Sequence, residues 1–114
     1  VPKPANIGDP NPLTIRDVKR EGKNNVVVDV AAPEAKEVSL FVEGPTPDWA
    51  LPVPKLAEQS PPGIKRFVFE LDGLPPGASA DGAALKLTLV SGDRAYEFNV
   101  SRVVDANQKY WRVT

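Results

Sequence analysis

Alternation between apolar and polar residues is the feature that most limits how this chain can fold. It recurs in five segments: NVVVDVA (25–31), EVSLFVE (37–43), RFVFELD (66–72), ALKLTLV (84–90) and AYEFNVS (95–101). Neighbouring side chains of an extended strand point to opposite faces, so a period of two predicts half-buried antiparallel strands. No stretch sustains a helical period, and APEAKE would form at most about one helical turn.

The alternation also predicts which face of each strand is buried. The apolar faces are Val26, Val28 and Val30; Val38, Leu40 and Val42; Phe67, Phe69 and Leu71; Leu85, Leu87 and Leu89; and Tyr96, Phe98 and Val100. Residues of the opposite faces, among them Val27 and Phe41, are expected to point outward. Phe69 and Leu87 lie in the middle of their apolar faces, so we expect both at the centre of the core.

Two further local patterns make specific predictions. SGD separates two strong strand segments, and Gly92 can adopt the positive φ of a tight hairpin turn. LTIRDVKR is predicted to be the first strand, but Ile15 and Val18 are out of phase with each other. We therefore expect a β-bulge near Arg16 or Asp17.

Seven or eight short strands with frequent turns are typical of a two-sheet sandwich, and we predict an immunoglobulin-like or fibronectin-like one. We place an extended Pro-rich linker at 1–12 and a single β-sandwich domain at 13–114. KYWRV is expected to form the last strand, with Trp111 and Val113 inward. The chain has no Cys, so this core would hold by packing alone.

Composition excludes several function classes. There is no Cys and no His, so we expect no thiol chemistry, no histidine base and no metal or cofactor site. A hydrolase or metalloenzyme is therefore the least favoured hypothesis, and we interpret Asp72 and Asp81 as turn residues. A net charge of −1 gives no footprint for nucleic acid, and no apolar run is long enough to span a membrane. Because Met is absent, we expect Val1 to follow a cut in a longer chain.

The segment GPTPDWALPVPKL (44–56) contains the candidate binding residues. Its four prolines make it stiff and bar it from a central strand. One hypothesis makes Trp49 an exposed anchor for a protein or a sugar, with Asp48 and Phe41 as further candidate contacts. The other, which we favour, has Trp49, Leu51 and Val53 closing the end of the sandwich, with the indole N–H bonded to a backbone carbonyl.

A family resemblance is carried by VSLFVEGP (38–45), FELDGLPPGA (69–78) and LKLTLVSGDRAYEF (85–98). These residues resemble the immunoglobulin-like modules in the N-terminal periplasmic region of DsbD/ScsB-type thiol–disulfide interchange proteins. In that family, an FVEGP strand is followed by a Pro-rich crossing, an F-x-L strand and a closing hairpin. The leading VPKPA looks like the linker that enters the second module. The resemblance covers roughly residues 1 to 101 and leaves the tail outside.

The resemblance implies a place in reductant transfer. Such proteins carry reducing equivalents across the inner membrane to periplasmic partners; one module bears a redox Cys pair and another, without cysteines, positions it. This chain has no Cys, so no redox residue can be carried over. We expect a periplasmic, monomeric, non-catalytic module that contacts a redox-active neighbour or a periplasmic protein. The alternative is a secreted adhesion or carbohydrate-binding module that uses Trp49.

Overall fold

The computed structural model describes residues 2–7, 9–10, 13–21, 24–32, 37–79, 83–102 and 111–113; of 101, 102 and 111–113 only the backbone is described. In these ranges the chain forms nine strands and no helix. The strands are β1 (Lys3–Pro4), β2 (Thr14–Glu21), β3 (Asn25–Ala31), β4 (Ser39–Glu43), β5 (Lys55–Leu56), β6 (Ile64–Glu70), β7 (Ala84–Ser91), β8 (Arg94–Arg102) and β9 (Trp111–Val113). The five alternating segments correspond to β3, β4, β6, β7 and β8.

The strands form two sheets. One is antiparallel, in the order β2-β3-β6-β5, and the other has the order β1-β8-β7-β4, with β9 also paired to β8. β7 pairs with β8 along its whole length, so β1 and β9 must share the other side of β8. β1 runs parallel to β8, whereas β9 runs antiparallel to it.

Both sheets contribute to one apolar core. Its buried members include Val26, Val28 and Val30 of β3, Phe67 and Phe69 of β6, Leu85, Leu87 and Leu89 of β7, and Phe98 and Val100 of β8. Phe69 is 3% exposed and Leu87 is fully buried, as the alternation predicted. The all-β prediction is therefore confirmed, and two sheets around a common core are compatible with a β-sandwich. The described residues form more strands than the seven or eight expected, because two proline-rich segments supply the two-residue strands β1 and β5.

Both local predictions are confirmed. The register between β2 and β3 shifts between Ile15 and Asp17, which is the expected bulge, and both Ile15 and Val18 consequently face the core. Ser91 pairs with Arg94 across a two-residue turn, in which Gly92 has a φ of 61°. Gly92 is the first of the two central residues of this turn, and the second, Asp93, has no positive φ. This combination defines a type II′ turn, whose twist matches that of the two hairpin strands.

Val27 departs from its predicted exposure. It belongs to the outward face of β3, yet it is only 4% exposed. The register places it between Lys19 of β2 and Val68 of β6, with Lys55 of β5 beyond Val68. Apolar residues and the long alkyl stems of lysines can cover a central valine from both sides, so alternation alone overestimates its exposure.

Part of the predicted linker is attached to the sheet, and another part turns, since the Asp9 amide donates to the Asn6 carbonyl at 3.1 Å. Lys3 and Pro4 pair with Tyr96 and Glu97, and the Ala5 amide donates to the Glu97 carbonyl at 2.9 Å. Ala5 is 9% exposed and belongs to the core. A proline-rich segment can form such an edge strand because few of its backbone donors need a partner. The boundary at residue 13 stays a prediction, as do the inward side chains of Trp111 and Val113, which lie outside the described side chains.

Candidate binding groove beside Trp49

A groove of about 560 Å³ lies where β4 runs into the proline-rich loop 44–49. The starting end of β7 and the facing part of β8 complete its wall. The lining residues are Val42, Glu43, Gly44, Pro45, Thr46, Pro47, Trp49, Ala84, Leu85, Lys86 and Asn99. Three strands and one stiff loop therefore build the groove, and Trp49 is its only aromatic lining residue among those described.

The conformation of loop 44–49 is fixed by its two prolines and by hydrogen bonds within the loop. Pro45 and Pro47 restrict φ at two of its positions. The Thr46 hydroxyl donates to the Asp48 carboxylate, and the Trp49 amide donates to the Thr46 carbonyl at 3.2 Å. These bonds close a tight turn immediately before Trp49, so the approach of the indole to the sheet is set locally.

Gly44 provides the surface on which the Trp49 side chain rests. A β-carbon at residue 44 would lie 2.7 Å from Cδ2 of Trp49, which is closer than real contacts allow. The indole therefore occupies the space that any other residue at position 44 would fill. This contact holds one side of Trp49 against the backbone and leaves the remainder of the side chain, which is half-buried, facing the groove.

The chain that follows Trp49 is fixed by a second glycine. The Ala50 amide donates to the Gly73 carbonyl at 2.8 Å. Gly73 has a φ of 75°, and a β-carbon there would lie 2.8 Å from the Ala50 carbonyl carbon. Asp72 Oδ1 accepts a hydrogen bond from the Gly73 amide at 2.8 Å. Asp72 therefore stabilises this turn with its side chain, as predicted from the sequence. Asp81 lies outside the described residues.

A row of polar side chains crosses the sheet beside the indole. The register places Glu43 opposite Lys86, and Lys86 opposite Asn99, on the outward face. The Lys86 ammonium lies 3.5 Å from the carboxylate of Glu97, which precedes Asn99 by two residues on β8. The groove thus combines an aromatic ring with carboxylate, amide, hydroxyl and ammonium groups, an arrangement that can hold a ligand by ring contact and hydrogen bonds.

The structure separates the three predicted contact residues. Trp49 lines the groove. Asp48 is exposed, and its carboxylate accepts a hydrogen bond from the Thr46 hydroxyl. Phe41 is 47% exposed on the outward face of β4. Phe41 lies two positions before Glu43, in the row that contains Thr88 and Glu97. The groove itself therefore contains only Trp49 of the three.

The expected set of Trp49, Leu51 and Val53 is only partly correct. Leu51 packs against the core, but Val53 is 67% exposed and Pro54 is buried in its place. Residues 49–54 form no strand, so their side chains need not alternate between faces. Within the described part of the chain, the Trp49 indole N–H makes no hydrogen bond, contrary to our expectation, whereas the main-chain amide does.

Sequence reasoning missed the polar side of the groove. Lys86 and Asn99 were assigned only to outward strand faces, and their meeting with Glu43 depends on the register of three strands. One signal was available. Gly44 stands between a strand and a proline, a position where a glycine often allows another group to approach the backbone closely.

A second groove, of about 380 Å³, lies on the outward side of the other sheet. Its lining residues are Asn25, Pro52, Val53, Lys55, Val68, Phe69, Glu70 and Asp72. Val53, which is exposed and not part of the core, borders this groove and gives it an apolar rim. Across the same face, Arg66 Nε lies 2.7 Å from Asp29 Oδ1, and this hydrogen bond together with the carboxylate charge raises the pKa of Arg66 above its ordinary value.

Within the described residues, no three His, Cys, Asp or Glu side chains come together as a metal site would require. The same residues include no helix with the length and apolar character needed to cross a membrane. Comparisons with protein-family models, with curated proteins and with solved structures found no match to this chain.

Proposed function

We propose that this chain is a non-catalytic immunoglobulin-like module of a periplasmic thiol–disulfide interchange protein. It acts as a monomer and positions a redox-active neighbouring module, or docks a periplasmic protein, without binding a cofactor. Thiol–disulfide exchange requires a thiolate nucleophile, and this chain of 114 residues has no cysteine. Its contribution to reductant transfer is therefore one of placement and contact.

The observation that carries the proposal is the spatial convergence of the three resembling motifs. VSLFVEGP supplies β4 and Gly44, on which the Trp49 indole rests. FELDGLPPGA supplies Gly73, whose carbonyl accepts from Ala50. The third motif supplies the hairpin of β7 and β8, which completes the groove. Segments that are distant in sequence thus build one local structure around the Trp49 loop, as a shared module architecture would require.

The sheet order supports a docking role. β1 and β9, the first and last described strands, both lie beside β8, whereas β4, which lines the groove, lies at the opposite edge of the same sheet. Neighbouring modules that are joined to this one through β1 and β9 would lie on the β8 side of the sheet. The β4 side would then stay free for a partner. A rigid two-sheet module could therefore be joined to its neighbours on one side and contact a partner on the other.

Two measurements test this proposal. First, the purified chain is expected to give no insulin reduction above the buffer control, and measurable turnover would contradict a non-catalytic role. Second, in the full-length protein, Trp49→Ala is expected to slow electron transfer to a disulfide-bonded periplasmic protein. Leu56→Ala is the matched control, because Leu56 is an exposed apolar residue of the other sheet. A full-length reading frame without a Cys-bearing module would overturn the proposal.

A second candidate function is supported by the composition of the groove. A half-buried tryptophan beside Glu43, Lys86 and Asn99 offers the ring and hydrogen-bonding groups that saccharide sites use. The chain would then be a secreted or cell-surface carbohydrate-binding module. A glycan array followed by calorimetry separates the two functions. Saccharide binding that Trp49→Ala abolishes would favour this candidate, and absence of binding across the array would reject it.

A further inference from the structure

We propose that β4 is an open sheet edge that accepts an extended, basic segment of a partner polypeptide as an additional strand. The inference rests on the proposed docking function and specifies where the partner binds and what chemistry it has. Sheet edges expose unpaired backbone groups, and proteins commonly protect them with charges, prolines, bulges or very short strands. Among the described strands, β4 is the edge with the least protection: its one charge, Glu43, lies at its end, and it has no bulge and no proline within it.

The edges of the β2-β3-β6-β5 sheet are both protected. β2 contains the bulge between Ile15 and Asp17, and charged residues occupy most of its positions. β5 is only two residues long and directly follows Pro54. A bulge interrupts the regular spacing that a new strand would need, and a two-residue strand offers too few backbone groups to hold one.

The β8 side of the other sheet is occupied. β1 and β9 cover different parts of it, and they are two and three residues long. β1 also contains Pro4, which cannot donate a backbone hydrogen bond. This side therefore already carries short strands, one of them containing a proline, and has little regular edge to offer.

β4 differs from these edges in length and regularity. It is five residues long, SLFVE, and pairs with β7 in an uninterrupted register. It contains no proline and no lysine or arginine, and its outward face carries the exposed Phe41. Within the described part of the chain, no strand pairs with its other side. β4 thus has the length, regularity and apolar side chain that strand addition requires.

The hairpin register identifies the free backbone groups of β4. Ser91 and Arg94 close a two-residue turn, so they form a hydrogen-bonded pair, and such pairs recur at every second residue. On this basis Lys86, Thr88 and Val90 direct their backbone groups towards β4. The N–H and C=O groups of Leu40 and Val42 then point away from the sheet. Two donors and two acceptors are consequently available to an added strand.

Charge determines the chemistry of the partner. From residue 37 to residue 54 the chain has no lysine or arginine, whereas Glu37, Glu43 and Asp48 are all exposed. The adjacent Lys86 lies in an ion pair with Glu97, and among the described residues no lysine or arginine forms an ion pair with these three carboxylates. A segment with lysine or arginine at its ends would neutralise them. A second copy of this chain would bring the same carboxylates together, so self-pairing through β4 is disfavoured.

The test uses two synthetic peptides of alternating Val and Thr, one with Lys at both ends and one with Glu. Titration of the ¹⁵N-labelled chain with the Lys peptide is expected to shift the amides of β4 and to slow hydrogen exchange at Leu40 and Val42. The Glu peptide is expected to leave the spectrum unchanged. Shifts centred on β2 or β5, equal binding of both peptides or no binding of either would overturn the proposal.

Two variants separate charge recognition from net charge. Glu43→Lys combined with Asp48→Lys is expected to weaken binding of the Lys peptide roughly tenfold at low salt. Glu21→Lys combined with Glu58→Lys changes the net charge equally at exposed positions outside β4 and should have a much smaller effect. Equal weakening by both double variants would overturn the charge argument. Dimerisation through β4, detected by sedimentation, would overturn the choice of partner.

A third variant tests the backbone argument. Val42→Pro removes an amide that points to the open side, and proline is tolerated at such edge positions. It is expected to abolish peptide binding, provided that the spectrum of the remaining residues is retained; unchanged binding would contradict the assigned edge. If Val42→Pro unfolds the chain, Phe41→Lys, at an exposed position, tests the location of the site through its side chain: it should repel the basic peptide, and unchanged binding would contradict the assigned edge.

Failure of this inference can be distinguished from failure of the proposed function. Absence of peptide binding combined with slower electron transfer in Trp49→Ala would reject only the β4 assignment. Selective binding of the Lys peptide by a chain whose full-length protein has no Cys-bearing module would reject only the thiol–disulfide context.

Discussion

The turn at Gly73 is expected to control both the stability of the chain and the position of the Trp49 loop. Gly73→Ala changes two contributions to the free energy of unfolding. Its φ of 75° lies in the left-handed region, where a β-carbon costs about 1–2 kcal/mol. The new atom would also lie 2.8 Å from the Ala50 carbonyl carbon, so the chain must move and weaken the Ala50–Gly73 hydrogen bond, for about 1 kcal/mol more. We expect a total loss of roughly 2–3 kcal/mol.

Gly77 provides a matched control. Its φ of 78° is nearly the same, but a β-carbon there meets nothing within 4 Å. Gly77→Ala should therefore lose only the conformational contribution, about 1–2 kcal/mol. The difference between the two variants, measured by urea unfolding, isolates the close approach of Gly73 to Ala50.

A second readout reports the position of the loop. In a Trp111→Phe background, the emission of Trp49 is expected to shift to longer wavelength in Gly73→Ala and to stay unchanged in Gly77→Ala. Equal stability losses in the two variants, with identical emission, would refute the argument that Gly73 holds the Trp49 loop in place.

Three further predictions concern the core, the Trp49 contact and the outward ion pair. In urea unfolding, Leu87→Ala should lower the free energy of unfolding by about 2–5 kcal/mol and Phe69→Ala by about 3–5 kcal/mol. Leu56→Ala, at an exposed position, should change it by no more than about 0.5 kcal/mol. Losses below about 1 kcal/mol at both core sites would contradict the register. Gly44→Ala should displace the indole and make Trp49 readily quenched by acrylamide in the Trp111→Phe background, and unchanged quenching would contradict the Gly44 contact. Because Asp29 raises the pKa of Arg66, the stability that this ion pair contributes should be present throughout the neutral range and lost only at strongly alkaline pH. Asp29→Asn should therefore lower the free energy of unfolding by the same amount at every neutral pH, and by less at high salt. A loss that changes with pH in the neutral range would contradict this.

The main strands were predictable because local geometry determines them. A period of two in β3, β6 and β7 assigns their side chains to faces without any knowledge of the neighbouring strands. The bulge in β2 was predictable for the same reason, since Ile15 and Val18 can both face the core only if the period is interrupted. The Gly92 turn depends on backbone freedom at a single residue, which the sequence reveals directly.

The site was less predictable because it depends on contacts between distant residues. Nothing near Trp49 in the sequence indicates that Gly73 fixes the chain at Ala50, or that Lys86 and Asn99 share a row with Glu43. Coil segments impose no period on their side chains, so the alternation assumed from Trp49 to Val53 did not hold. Strand register and loop path are tertiary properties, and local patterns limit them without determining them.

The groove and the β4 edge are adjoining parts of one surface. Val42 and Glu43 belong to β4 and also line the groove beside Trp49. A strand added along β4 that continues beyond Glu43 would therefore reach the indole, while its other end lies near Glu37. Gly44 sits at the junction, where a side chain would collide with Trp49. Backbone pairing at Leu40 and Val42 would supply affinity that is independent of sequence, and the aromatic groove with its flanking carboxylates would supply the selectivity for one partner segment.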